Sequence, residues 1–303
     1  MLETNLTSKK ILLLGYGDLA RRTALHFNDL GCTITAVARS SKDVPQGVDL
    51  WQGSIADFVG HAERDVLSCD VVVITLTPGG RRESDYVSAY LDNMRLLLDA
   101  WARVGVRPGC VIFVSSTSVY GQDNGERVDE ESDTHPEKDT AKVLLKTEAL
   151  LQASNIPSCS LRFAGIYGPG RHFLIRQVAE GNMGGPAYTN RIHAEDCAGI
   201  IAFLIKRFWA DKYLPPVLLA SDGVPVISRV VRQSIAETLQ SLDPDFNIPE
   251  IASVANVEGS KRIQGMNKRC DNSKLIHLGY RFRYPSYKEG FPELIREFLN
   301  AND

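Results

Sequence analysis

Short apolar runs alternate with helical patterns through the first half of the chain. "KILLLG" (10–15), "TITAVA" (33–38), "VVVITL" (71–76), "CVIFVS" (110–115) and "SCSLRF" (158–163) are nearly continuous in apolar residues. Runs of that kind suit strands of a parallel sheet covered on both faces. Between them, residues 18–29, 83–103 and 139–153 carry apolar positions at helical spacing. In 83–103, Tyr86, Tyr90, Leu91, Met94, Leu97, Leu98 and Trp101 form one stripe, which predicts a helix. The alternation predicts an α/β fold, a doubly wound parallel sheet with right-handed crossovers.

Beyond residue 165 the rhythm loosens. "GNMGGPAY" (181–188) is a Gly-rich loop, followed by a short strand and the helical "HAEDCAGIIAFLIKRF" (193–208). "PPVLLAS", a helix near 227–240 and a Pro-rich polar tail come after it. This pattern predicts a first domain over 1–165, to which 187–210 returns, and a smaller C-terminal lobe over 166–303. No internal repeat or low-complexity segment is visible.

"GYGDLA" (15–20) fits G-x-G-x-x-A directly after a predicted strand and at the start of a predicted helix. Gly15 permits the tight turn, Gly17 lets the backbone approach a pyrophosphate, and small Ala20 allows close helix–strand packing. Asp18 and Leu19 open the helix, whose N-terminus offers unpaired N–H groups and a positive dipole end to an anion. In this context the turn reads as dinucleotide-binding, against the alternative of a purely structural turn. An NAD site usually carries an acid about 20 residues past the glycines, for the ribose 2′-hydroxyl. Here the second strand ends in "AVARSS", with Arg39, Ser40, Ser41 and Lys42. Guanidinium binds phosphate through a fork of donors, so NADP is favoured over NAD as the cofactor. The alternative is a solvated loop arginine. Thr75, in the third apolar run, completes the cofactor-binding set.

"SSTSVYG" (115–121) puts four hydroxyl side chains and a tyrosine at the end of "CVIFV". Together with "GYGDLA", "LRFAGIYGPGR" (161–171) and "NRIHAEDCA" (190–198), it resembles the extended short-chain dehydrogenase/reductases, which include nucleotide-sugar epimerases and dehydratases. The ending "NKRCDNSKLIHLGYRFRYPSYKEG" resembles an atypical branch described as NAD-dependent epimerase/dehydratase proteins. The resemblance spans nearly the whole chain and implies a Rossmann domain with a substrate lobe. It implies that Ser116, four residues before Tyr120, hydrogen-bonds the reacting oxygen, a role that suits a fixed hydroxyl donor facing oxyanion charge. Ser115, Thr117 and Ser118 are expected to satisfy backbone groups in the turn, and Tyr120 to pack.

The resemblance also calls for Tyr-x-x-x-Lys on the following helix. Aligning "LLKTEALL" through Glu148 puts Thr140 and Leu144 there, so both functional groups are missing. Lys142 and Lys146 lie two positions off, about 200° round the helix. The remaining Tyr-x-x-x-Lys, Tyr284 to Lys288, contains a proline and reads as a loop.

Other residues carry open alternatives. Tyr167 either replaces the missing acid or packs as an aromatic lid. Arg171 either holds a substrate phosphate or carboxylate, or is a solvated loop residue. His193 is a base or substrate ligand, or structural. Lys261, Arg262, Lys268 and Arg269 meet an anionic substrate or form a solvated face. The acidic loop 122–138 is a lid or a surface excursion.

Composition narrows the partners. A net charge of −3 over 303 residues gives no general pull toward nucleic acid or anionic membrane. No apolar stretch reaches membrane-spanning length. The six cysteines are scattered, several inside apolar runs, which fits buried thiols in a reducing cytoplasm. The expected protein is a cytoplasmic NADP(H)-dependent oxidoreductase or epimerase acting on a polar, carbohydrate-like small molecule by hydride transfer. The proton source is left open between Tyr167, water and the substrate. The alternative is a non-catalytic NADP(H)-binding sensor or interaction module. Helices 83–103 and 139–153 are the expected faces of a family-like homodimer.

Overall fold

A computed structural model describes residues 8–249 and 267–301. The chain begins β1 (Lys10–Leu14), α1 (Asp18–Leu25), β2 (Thr33–Ala38), β3 (Val48–Gln52), α2 (Ile55–His61), α3 (Arg64–Leu67) and β4 (Val71–Ile74). It continues with α4 (Glu83–Tyr86), a π-helical segment (Val87–Asp92), α5 (Asn93–Val104), β5 (Cys110–Ser116), β6 (Glu126–Val128), α6 (Asp139–Ala153) and β7 (Ser158–Phe163). Then come β8 (Gly165–Tyr167), α7 (Phe173–Ala179), β9 (Tyr188–Thr189), β10 (Arg191–His193), α8 (Ala194–Trp209) and β11 (Val217–Ala220). The chain ends with β12 (Val226–Ile227), α9 (Ser228–Leu242), β13 (Lys268–Cys270), α10 (Ser273–His277) and α11 (Tyr287–Asn300).

Seven strands form one parallel sheet in the order β3-β2-β1-β4-β5-β7-β11. All four residues of β4 are buried, as are Leu12, Leu13 and Leu14 of β1, which explains the unbroken apolar runs. The order reverses between β1 and β4, and ligands bind at such a switch point, outside the carboxyl ends of the strands. Register brings those ends together: Leu14 lies opposite Val37 and Ile74, and Ile74 opposite Phe113. Gly15, Thr75 and Ser116 therefore leave the sheet at the same edge.

Two elements depart from the expected pattern. β3 was not foreseen: "VDLWQ" is short, follows Pro and Gly, and pairs on one side only, as the edge strand. The stretch 83–103 is not one regular helix, because Val87–Asp92 takes a π register between α4 and α5. The Asn93 side chain donates to the carbonyls of Ser88 and Ala89, both at 3.0 Å. A side chain inserted into the helix ladder in this way accounts for the irregularity.

A buried ion pair ties three elements together. Arg162 on β7 meets Glu148 on α6, with Nη2 at 2.6 Å and Nε at 3.2 Å from the carboxylate. Ser115 on β5 donates its hydroxyl to the same carboxylate at 2.5 Å. The expectation that Ser115 serves the turn backbone is thus corrected. Both charges are nearly sealed from water, at 6% and 3% side-chain exposure. A buried charge stays stable only when its partners are in place.

The chain divides into two compact units: Met1–Val119, Lys138–Arg162 and Cys197–Leu218 in one, and Tyr120–Glu137, Phe163–Asp196 and Leu219–Asp303 in the other. The second has its own core, with Tyr167, Ile175, Val178, Val231, Ile235, Leu239, Phe291, Leu294 and Ile295. Parallel pairs β8–β10 and β6–β13 and the antiparallel pair β9–β12 brace it.

The acidic segment is built into this second unit. β6 pairs with β13, and Glu130 accepts the Leu219 N–H at 2.8 Å. Of the predicted basic run, Lys261 and Arg262 lie outside the described residues. Lys268 is buried and donates to the Tyr120 carbonyl at 3.2 Å, so it is not part of a solvated face. Arg269 donates to the Gly125 carbonyl at 2.7 Å and lies over the Tyr188 ring.

Replacing Glu148 by alanine leaves the Arg162 guanidinium buried without its counter-charge. The variant is expected to lose about 3–5 kcal/mol of unfolding free energy in urea titrations, and Glu148→Ala with Arg162→Met to recover a large part.

Candidate functional site

The sequence Leu14–Gly15–Tyr16–Gly17 leaves β1 and must turn at once into α1. The N–H groups of Gly15 and Tyr16 both reach the Val37 carbonyl, at 3.1 and 2.9 Å, which seats the turn on β2. Gly15 has φ +86°, and a Cβ there would stand 2.9 Å from the Leu76 backbone. Gly15 is therefore required by the fold itself. Gly17 is different. Its φ is −107°, and a Cβ would meet nothing closer than the Gly15 carbonyl at 3.8 Å. The chain sets no limit on a side chain at Gly17, so the space beside it is available to a ligand backbone or phosphate. Ala20 is fully buried, as close helix packing requires.

A cleft of about 550 Å³ opens at this turn. Gly15, Tyr16, Gly17, Arg39, Ser40 and Thr75 of the expected region line it, together with Lys42, Ser54, Thr77, Asp85, Ser88 and Asn93. Thr75 serves the turn: its hydroxyl donates to the Gly15 carbonyl at 2.9 Å. Asp18 and Leu19 are not among the lining residues. Asp18 accepts from Arg22 Nε at 2.8 Å, one helical turn on. Sequence reading missed Ser54, which caps α2 by accepting the Asp57 N–H. Its signal was the S-x-x-D of "SIAD", hidden because β3 before it went unread.

The hydroxyl turn lies at the end of β5. Ser116 Oγ accepts the Ser118 N–H at 3.1 Å, so the turn orients this side chain. No acceptor for its own O–H is present among the described residues. On α6, Thr140 is half-buried and Leu144 is 4% exposed, while Lys142 and Lys146 face solvent. Lys142 pairs with Asp139 at 2.8 Å. The helix face that the alignment assigns to a Tyr/Lys pair thus carries an alcohol and a hydrocarbon.

Tyr167 and His193 belong to the core of the second unit. The Tyr167 ring stacks on Phe291 at 4.8 Å, and its hydroxyl donates to the Ser286 carbonyl at 3.3 Å. Burial, then the Asp222 charge, holds its pKa well above the usual phenol range. A phenol so placed is a poor proton shuttle, and its contacts match the packing alternative. His193 is 2% exposed, lies 3.8 Å from the Tyr284 ring, and accepts the Glu195 N–H on Nδ1 at 3.2 Å. That environment fits its structural alternative. Arg171 is half-buried, with its N–H on the Gly168 carbonyl. Tyr284 sits outside α11 in an irregular segment, as its Pro285 predicts.

The same unit contains a polar group unread in the sequence. Arg191 is 6% exposed, donates to Thr189 Oγ1 and lies over the Tyr287 ring. Asp222 is 5% exposed and accepts the Val224 N–H at 3.0 Å. Burial pushes the Asp222 carboxyl up to about 7, against the lowering effect of that N–H and of Arg191. Among the described residues no helix is long and apolar enough to cross a membrane, and no His/Cys/Asp/Glu group suits a metal. Cys69 and Cys110 are buried thiols with pKa pushed up to about 12, inert rather than reactive.

A doubly wound sheet with a glycine turn and cleft at its switch point defines a dinucleotide-binding fold. Residues 11–212 match the NAD-dependent epimerase/dehydratase family, and the chain belongs to it. Protein YeeZ of Escherichia coli strain K12 is 31% identical over 296 residues, covering 91% of this chain and 97% of that protein. A solved protein from Methylobacillus flagellatus, whose assignment as an NAD-dependent epimerase/dehydratase is itself inferred, is 28% identical with TM-score 0.74. That match covers 96% of this chain and 99% of the other. The Thermus thermophilus UDP-glucose 4-epimerase, solved with NAD, shares the fold at 18% identity and TM-score 0.73, over 96% and 99% of the two chains. The epimerase/dehydratase family is the one the motifs indicated.

The two glycines should separate in experiment. Gly15→Val is expected to destabilise the fold, while Gly17→Val should keep native circular dichroism and lose dinucleotide binding by fluorescence titration. Asp222 sets a pH dependence. An unfolded carboxyl titrates near 4, so the folded protein holds an extra proton from about pH 4 to pH 7. Its contribution to stability is full below that window and is lost as pH rises through it, at up to about 1.4 kcal/mol per pH unit. Unfolding curves of wild type and Asp222→Asn should differ by that slope, flattening above pH 7.

Proposed function

We propose that this chain is an NADP(H)-dependent oxidoreductase or epimerase acting on a polar, carbohydrate-like small molecule, without the tyrosine–lysine dyad of its relatives. The observation that carries the cofactor preference is the chemistry at the end of β2. Arg39, Ser40 and Lys42 line the cleft there, and neither cation has an ion-pair partner among the described residues. The one carboxylate in the lining, Asp85, is on α4 and accepts the Arg82 N–H at 2.9 Å. A ribose bearing a 2′-phosphate matches that surface better than a free 2′-hydroxyl, which calls for a carboxylate. The open space beside Gly17 fits the pyrophosphate.

Bound at this site, the nicotinamide supplies hydride transfer. The chain's own part is to hold and polarise the substrate. Ser116 Oγ accepts from the Ser118 amide, which aligns the hydroxyl and sharpens it as a donor to a carbonyl or alkoxide oxygen. Water or the substrate itself supplies the proton, because Thr140 and Leu144 offer no group that titrates and Tyr167 is sealed in its own core. The UDP-glucose 4-epimerase activity of the Thermus protein supports a carbohydrate-like substrate class.

A second reading, a dinucleotide sensor without turnover, draws on the same helix face. Leu144 puts a buried hydrocarbon where an ammonium would lower a tyrosine pKa.

Arg39→Ala is expected to weaken NADPH by about 1.5–3 kcal/mol in calorimetry and NADH much less. Equal losses for both would reject the 2′-phosphate reading. Thr140→Tyr with Leu144→Lys should raise NADPH-dependent reduction of a simple carbonyl compound above the native rate, and each single change should do little. A native enzyme with brisk, tyrosine-like pH dependence, unaffected by Tyr167→Phe, would sink the assignment of that helix face.

A further inference from the structure

Asn93 opens α5 directly after the π-helical segment, is half-buried, and lines the cleft. Its side-chain amide is fixed at one end. The nitrogen donates one hydrogen to the Ser88 carbonyl and the other to the Ala89 carbonyl, both at 3.0 Å. Carbonyls only accept, so the nitrogen must be the end that faces them, and both its hydrogens are engaged. The oxygen, Oδ1, is left over. It has no hydrogen-bond partner among the described residues and is not among the side-chain atoms closed to solvent. The cleft therefore contains an acceptor held at a set angle. Such a group excludes phosphate oxygens and takes an N–H or O–H. A dinucleotide offers three kinds: the adenine amino group, ribose hydroxyls and the nicotinamide carboxamide. The lining decides among them. It includes Arg39 and Ser40 at the end of β2 and Ser54 after β3, and no residue of the hydroxyl turn or of α6. This is the adenosine end, apart from Ser116, where the nicotinamide would meet a substrate. The ribose belongs to Arg39, Ser40 and Lys42, which leaves the base. Val37, Ile55 and Leu76 give the lining the apolar surface that a flat ring requires.

We propose that Asn93 is a specificity residue for the base of the dinucleotide: its Oδ1 accepts a hydrogen bond from the 6-amino group of adenine. The proposal rests on the NADP(H) reading given above and adds a second point of recognition to it. Adenine presents an amino donor at its 6-position, whereas hypoxanthine, of nearly the same shape, presents a carbonyl. With hypoxanthine bound, two acceptors face each other. The Asn93 amide cannot turn its nitrogen toward that carbonyl without breaking both bonds to the π-helical segment. The carbonyls of Ser88 and Ala89 thus hold the amide in the orientation that distinguishes the two bases.

Calorimetric titration with NADPH and with its hypoxanthine analogue, deamino-NADPH, tests this first on the unaltered protein. Wild type is expected to bind the analogue about 10-fold more weakly. Asn93→Ala, with its fold checked by circular dichroism, should lose affinity for NADPH and bring the two ligands within about 2-fold of each other. Equal affinities in wild type would overturn the proposal, whatever the variant does. So would a discrimination that survives in Asn93→Ala, which would assign the amino group to another acceptor of the cleft. NADH, titrated in parallel, reports separately on the 2′-phosphate. A wild type that prefers NADPH to NADH but ignores the base removes Asn93 alone. One that distinguishes the bases without preferring NADPH keeps Asn93 and rejects the 2′-phosphate. A protein that binds none of the three removes both readings.

Discussion

The Glu148 carboxylate organises the first unit. It sits on α6, receives a buried guanidinium from β7 and a hydroxyl from β5, and so fixes one helix over two strands of the sheet. The constraint is electrostatic and unforgiving, because neither charge can be returned to water without opening the packing. It also acts at a distance of one residue. Ser115 is clamped to the carboxylate, so the next side chain, Ser116, leaves the strand in a set direction and completes its turn with Ser118. The same clamp sets the rotation of α6 and thereby which of its residues face inward. Leu144 and Thr140 occupy that face because Glu148 does.

The elements that could be read from sequence were those whose burial is symmetric. β2 and β7, and helix α6, match the expected 33–38, 158–163 and 139–153, because a strand covered on both sides leaves an unmistakable apolar run. β3 escaped because an edge strand needs only one apolar face. The two- and three-residue strands of the second unit escaped because no period can be seen over so few positions. The glycine turn and hydroxyl turn were legible as motifs. What each hydroxyl does was not, since Ser115 and Ser116 are adjacent and alike in sequence. Their roles diverge only because alternate strand residues point to opposite faces.

Tyr167 and His193 illustrate another limit. Both sit in motifs shared with enzymes, and both have the chemistry of acids and bases. In the fold each is enclosed by aromatic rings and backbone groups of its own unit. Position relative to solvent is a tertiary property, and a motif does not encode it. Arg191 and Asp222 are the converse. Nothing local marked them, yet the fold buries both and moves the carboxyl into the neutral range.

The π-helical segment has a geometric consequence of its own. A π turn carries one residue more than an α turn, so the helix beyond it is advanced by about 100° relative to the helix before it. Ser88 and Ala89 line the cleft, and Leu91, Met94, Leu97 and Trp101 are in the core. The segment works as a phase shifter: it sets the angle between the cleft residues before it, Asp85 among them, and the helix after it, which presents Asn93 to the cleft and Met94, Leu97 and Trp101 to the core. Deleting a single residue within 87–92 would therefore act as a rotation of the upstream cleft residues relative to Asn93 and the core side of the helix.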